Sequence, residues 1–250
     1  MLTQSLCCFK GLTPESEERL WGRGCLSWRH LAFMAEREFS PRKCALLLEQ
    51  LPLFETALEG RCADFFIGRL PCGHRMRILP EFRDEIAYLD IETDGMGNGA
   101  VITLIGLWWR GDFLTFVRGR NLQDFIKVWS RLGIVATFNG ARFDLPVIMR
   151  EFGFTTRPPQ IDLMDEARHW GLAGGLKQIE RRLGIARTEE ESGTGMDAVL
   201  LWDEYARHGD GRALEKLIAY NARDVLSLPK LACHVLLQSI QNYPGPHPEL

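Results

Sequence analysis

Residues Glu85–Gly95 read EIAYLDIETDG, and the fold turns on how that stretch is taken. Side chains on a strand alternate between faces, so Tyr88, Asp90 and Glu92 fall on one side and Ala87, Leu89 and Ile91 on the other. The second set is a core face. The first places two carboxylates close together in an otherwise buried strand, where repulsion and desolvation are costly unless a cation compensates.

Working outward, AVITLIGLWWR (100–110) and FLTFVRG (113–119) are strand-like, and the turn DGMGNG (94–99) and Gly111 separate them from their neighbours. These three segments predict an antiparallel meander. LQDFIKVWSRLG (122–133) then has helical spacing, IVATFNG (134–140) reads as a fourth strand, and RFDLPVIMREFG (142–153) as a helix. Helices follow over GGLKQIERRLG (174–184), MDAVLLWDEYARHG (196–209) and 213–240, with a bend expected at Pro229. A meander, a crossover helix and a parallel strand predict an α/β fold with a mixed sheet flanked by helices, occupying residues 80–241.

Residues 1–79 show helical periodicity without strand alternation and form a small helical region. Thr13 followed by Pro14 marks a helix start, the break Gly22–Gly24 separates it from a helix opened by Ser27, and another begins after Ser40 and Pro41. The first pair resembles a helix-hairpin-helix clamp for DNA phosphates, and it also fits a plain helical hairpin. LPCGHRMRILPEFRDE (70–85) reads as a connector with few buried positions, its Arg75, Arg77 and Arg83 either solvated or facing nucleic acid. The tail 242–250 is expected to be disordered.

With 250 residues and 46% apolar content the chain can bury a sizeable core. No apolar run is long enough to span a bilayer and the N-terminus lacks a signal pattern, so no membrane partner and a cytoplasmic address are expected. The net charge of −3 argues against binding nucleic acid through bulk positive charge alone. Seven cysteines without a CxxC pair read as reduced thiols rather than a zinc site or disulfide framework. The histidines form no spaced cluster.

Three further positions bear on the acid pair. Asp144 stands where the fourth strand gives way to a helix. Tyr220 and Asp224 are four apart, hence on one helix face. Four carboxylates available at one end of a sheet make an oxygen-rich set suited to Mg²⁺ or Mn²⁺, and two such ions can promote in-line phosphodiester hydrolysis. Asp162 and Asp165 read as a helix cap and a solvated face, with help to the site as the alternative, and Trp108, Trp109, Trp129 and Trp170 read mostly as core, with base stacking as the alternative.

At DIET (Asp90–Thr93), NGARFD (Asn139–Asp144) and YNARD (Tyr220–Asp224), in that order, the chain resembles the ribonuclease-H-like DEDD exonucleases of the tyrosine subgroup. The region 174–187 looks like the stretch between the second and third motifs in bacterial YprB-like members and in polymerase-associated proofreading domains, and the N-terminal helical region with the connector that follows it looks most like the YprB-like group. The resemblance implies a 3′-to-5′ exonuclease acting on DNA or RNA, single-stranded ends favoured, with two Mg²⁺ or Mn²⁺ ions. It implies that Asp90 bridges both ions, that Glu92 and Asp224 hold the ion activating water, that Asp144 supports the site directly or through water, and that Tyr220 orients the water. Ala219 stands where the histidine subgroup has its base. Thr93, Asn139 and Phe143 resemble positions that touch substrate or pack the motif. A binding or scaffold module with little catalysis and a structure-selective endonuclease are the alternatives on the same fold.

Overall fold

The computed structural model describes residues 1–95, 97, 99–185 and 195–241. The expected tail at 242–250 and part of the 94–99 turn lie outside the described residues. The chain divides into two units, Met1–Arg83 with Cys233–Leu250, and Asp84–Ala232.

The first unit contains α1 (Pro14–Gly22), α2 (Trp28–Glu38), α3 (Pro41–Glu59), α4 (Ala63–Ile67) and α5 (Leu79–Phe82). α1 and α2 start where side-chain caps place them. The Thr13 and Ser16 side chains each accept the other's backbone N–H, with Pro14 at the first helical position. Ser27 accepts from the His30 N–H at 3.3 Å, and Pro41 opens α3. An aromatic core holds the helices together: Phe9 stacks on Phe54 with centroids 4.0 Å apart, and Trp28 meets Phe54 edge-on at 5.3 Å.

The expected sparsely buried connector is a different object. His74, Met76, Arg77, Ile78 and Phe82 are all buried, and a 3₁₀ turn runs through Arg75–Ile78. Arg77 is neither solvated nor facing a ligand path, because its guanidinium pairs with Glu17 at 2.7 Å in the interior. Glu17 also accepts the Leu6 and Cys7 N–H groups. Two buried charges are tolerable here because each is paired and hydrogen-bonded.

The second unit is built on a five-stranded sheet of order β3-β2-β1-β4-β5. β1 (Ile86–Thr93), β2 (Ile102–Trp109) and β3 (Asp112–Val117) form the antiparallel meander; β4 (Ile134–Thr137) and β5 (Gln160–Asp162) continue parallel to β1. The mixed α/β sheet is therefore as the alternation predicted. β5 is an addition, three residues long and too short to carry a period.

The helices of this unit are α6 (Phe125–Trp129), α7 (Asp144–Phe152), α8 (Leu163–His169), α9 (Leu176–Arg182), α10 (Gly195–His208) and α11 (Gly211–Gln241), the last continuing past Ala232. Ala87, Leu89 and Ile91 of β1 pack with Ile105 and Leu107 against Phe125 and Trp129 of α6 and Leu145 and Ile148 of α7. On the opposite face Leu104 and Val117 pack with Ala198 of α10 and Leu214 and Leu217 of α11. Asp90 and Glu92 therefore look toward α10 and α11. Pro229 does not end α11, which runs on to Gln241. Leu228, Leu231, Ala232 and Val235 are buried around it, so packing outweighs the one backbone bond a proline removes.

Candidate metal centre and active site

The carboxylates of Asp90, Glu92 and Asp224 offer ligand oxygens that all lie within 4.8 Å of one another. Two come from alternate positions of β1, and the third from α11, whose stripe Leu214, Leu217, Asn221, Val225 and Leu228 binds it to the sheet. Glu92 is 8% exposed and Asp224 9%, while Asp90 is half-buried at the cavity wall. Desolvation, and then the nearby Asp224 charge, push the Glu92 carboxyl up to about 8, while Asn221 and Lys177 oppose the shift. An all-oxygen set whose members resist joint ionisation fits a hard divalent cation.

Asp144 stands at the first position of α7 and lines the same cavity, yet it is outside that trio. Its Oδ1 accepts the Ile91 N–H at 3.1 Å. β1 pairs with β4 only over Ile86–Tyr88, so Ile91 lies beyond the parallel ladder and the Asp144 carboxylate supplies its acceptor. Burial raises the Asp144 carboxyl to about 7 against the pull of its backbone hydrogen bonds, with Asp162 adding to the rise.

The loop before α7 is tightly held. Asn139 has φ +63°, and a Cβ at Gly140 would fall 2.4 Å from Thr137 Oγ1. Asp162 caps α8 through the Met164 N–H, as its sequence position suggested, and also accepts the Asn139 and Ala141 N–H groups at 2.8 and 3.1 Å. One carboxylate at the end of β5 thus fixes the loop that delivers Phe143 and Asp144. Asp165 pairs with Arg142 and Arg168, each at 3.5 Å.

The eight residues that the resemblance assigns to catalysis or substrate contact line one cavity of about 600 Å³: Asp90, Glu92, Thr93, Asn139, Phe143, Asp144, Tyr220 and Asp224. Phe143 presents its ring at 37% exposure. The Thr93 hydroxyl donates to the Gly95 carbonyl at 2.7 Å, which pins the end of β1, and the Asn139 side chain accepts from Arg142. Tyr220 accepts a hydrogen bond from Lys177 Nζ at 3.0 Å, and that ammonium sits 4.4 Å from the centre of its ring. Met196 and Val199 of α10 close another wall.

The motif reading missed Lys177 and Asn221, while Asp162 takes both the cap role and the help to the site that its sequence position offered. Lys177 lies in GGLKQIERRLG with no local feature to mark it. Asn221 did carry a signal: it is a polar residue at a core position of the α11 stripe, where an amide needs a partner.

The sequence profile of the RNase_H superfamily matches residues 87–236. The chain belongs to the RNase_H superfamily. No curated protein matches it. Among solved structures it is similar to the family B DNA polymerase of the hyperthermophilic archaeon Pyrobaculum calidifontis, at 14% identity and TM-score 0.48, over 64% of this chain and 26% of the polymerase. It is also similar to the Aedes aegypti Nibbler EXO domain, at 12% identity and TM-score 0.39, over 68% of this chain and 87% of that domain. The chain thus spans about a quarter of the polymerase's length. Among the described residues, no helix is long and apolar enough to cross a membrane.

Proposed function

We propose that this chain is a metal-dependent nuclease of the DEDD type with a tyrosine in its third motif, hydrolysing phosphodiester bonds of DNA or RNA from 3′ ends. The observation that carries the reading is the meeting of Asp90, Glu92 and Asp224 within 4.8 Å in a cavity whose wall also bears Tyr220. Asp90, Glu92 and Asp224 would hold two Mg²⁺ or Mn²⁺ ions, with Asp144 assisting through water. Such ions, when bound, supply water activation and charge stabilisation at the leaving oxygen.

The chain's own groups do the rest. The Tyr220 hydroxyl, held by Lys177, orients the attacking water for in-line approach to phosphorus. Phe143 offers an apolar face to the terminal base, and Asn139 and Thr93 border the sugar-phosphate path. The Asp162 contacts keep the Asn139–Asp144 loop rigid enough for these roles.

The test is a time course on end-labelled DNA and RNA, single- and double-stranded, with Mg²⁺, Mn²⁺ or EDTA. A ladder shortening from the 3′ end, present with either metal and absent with EDTA, is expected. Cleavage of a circular single strand would instead select the endonuclease alternative. Binding without any product under every metal condition would select the scaffold alternative.

A further inference from the structure

We infer that Asn221 is a positioning residue for the acidic trio and that Gly106 exists to make room for it. The inference rests on the metal-dependent reading above and gives a role to a polar side chain of YNARD that the resemblance leaves without one.

Asn221 is fully buried. Its Nδ2 lies 3.0 Å from Asp90 Oδ2, 3.3 Å from Glu92 Oε1 and 3.3 Å from the Asp90 carbonyl. Two N–H bonds are thus shared among three acceptors, two of them oxygens of different carboxylates. The amide grips one oxygen of each and fixes the rotation of both side chains relative to β1.

The amide orientation follows from the hydrogen-bond network and is favoured whenever the acids are ionised, as cation binding requires. Turning the amide over would aim Oδ1 at two carboxylates. In the orientation adopted, Oδ1 is buried without a hydrogen-bond partner among the described residues. That arrangement costs stability, and the donor contacts to the acids offset the cost.

The choice of residue also fits. A lysine or arginine would supply donors together with a positive charge competing with a divalent cation for the same acids. A hydroxyl has one donor only. A carboxamide gives two donors and no charge.

Gly106 completes the device. It stands opposite Asp90 in the β1–β2 register. A Cβ there would fall 1.8 Å from Asn221 Oδ1, 2.9 Å from Asn221 Cγ and 3.0 Å from Val225 Cγ2. No side chain at position 106 leaves space for the amide where it now sits. The glycine is an interruption of a strand of large apolar residues, and its use is local access rather than backbone conformation.

The experiment measures Mn²⁺ binding by titration calorimetry on the full chain, with thermal melting to establish that each variant is folded. Asn221→Ala, and Asn221→Leu as a variant that keeps the volume, are expected to weaken Mn²⁺ binding about 10- to 100-fold, as loss of outer hydrogen bonds to metal ligands does. Gly106→Ala should lower both melting temperature and affinity by displacing the amide. Combining Gly106→Ala with Asn221→Ala removes the collision, so melting temperature should recover while affinity stays at the Asn221→Ala level. A purely packing role predicts otherwise: a folded Asn221→Leu protein binding Mn²⁺ within twofold of wild type overturns the inference. So does recovery of wild-type affinity in the double variant. If the wild-type chain itself binds no Mn²⁺, the metal-dependent reading fails and takes this inference with it.

Discussion

Replacing Glu92 with glutamine isolates the electrostatic strain of the metal-free site. Below pH 4.5 the Glu92 carboxyl is protonated in both the folded and the unfolded chain, and it contributes no pH dependence. Between pH 4.5 and about 8 the unfolded chain releases the proton while the folded chain keeps it, so stability falls as pH rises. Above about 8 both forms are ionised and the full cost stands. At roughly 1.4 kcal/mol per pH unit, the move from pH 5 to pH 8 costs the folded state about 4 kcal/mol. For a unit of this size that is a fall of about 10 °C in melting temperature. Asp144, raised to about 7, acts in the same direction and stops near that pH. Glu92→Gln keeps an acceptor for Asn221 and removes one titration. Melting curves in EDTA at pH 5, 6, 7 and 8 should therefore show a smaller decline for the variant, flat above pH 7, and a variant more stable than wild type at pH 8. Parallel profiles for the two proteins, or a less stable variant at pH 8, would refute the reasoning. Adding Mg²⁺ or Mn²⁺ to wild type at pH 8 should recover stability, since binding favours the ionised carboxylates.

Asp90→Ala and Asp224→Ala are each expected to abolish cleavage while melting in EDTA at or above the wild-type temperature, because a repelling charge leaves with the metal ligand; near-wild-type turnover in either would remove the metal-site assignment. Tyr220→Phe retains the ring under Lys177 and loses only the hydroxyl, so single-turnover rates should drop on the order of ten- to a thousand-fold. An unchanged rate would make Tyr220 a packing residue. For the α1–α2 hairpin, proposed as a phosphate clamp, removing the charges of Arg19, Arg23 and Arg29 together should flatten the salt dependence of binding to long strands by about one log-log unit per lost contact, with turnover of a short oligonucleotide at saturation intact. Arg23 already pairs with Glu38 at 2.6 Å, so Arg19 and Arg29 should account for most of the change. Identical affinity and slope would leave the hairpin purely structural.

What the sequence determined is whatever depends on near neighbours. The period-two alternation over 86–93 identified β1 and separated its acid face from its core face, and that is the division the packing shows. Thr13 with Pro14, and Ser27, located helix starts because a cap is satisfied by N–H groups two or three residues away. The four-residue spacing of Tyr220 and Asp224 put both on the cavity side of α11 for the same reason. The tertiary structure decided what depends on chain path. Arg77 looked like part of a solvated connector until Glu17, 60 residues away, met it in the interior. β5 is too short for any period and exists because β4 offers it an edge. Asp144 and Asp224 read alike as site acids, but Asp144 answers an N–H beyond the β1–β4 ladder while Asp224 joins Asp90 and Glu92. Asn221, 131 positions from Asp90, became legible only when α11 lay across β1 and β2 with Gly106 beneath it. Alternation and helical spacing report which way a side chain faces; the partner it finds there is set by long-range packing, where burial makes every unpaired polar atom costly and so selects the arrangement in which the acids, the amide and the glycine fit together.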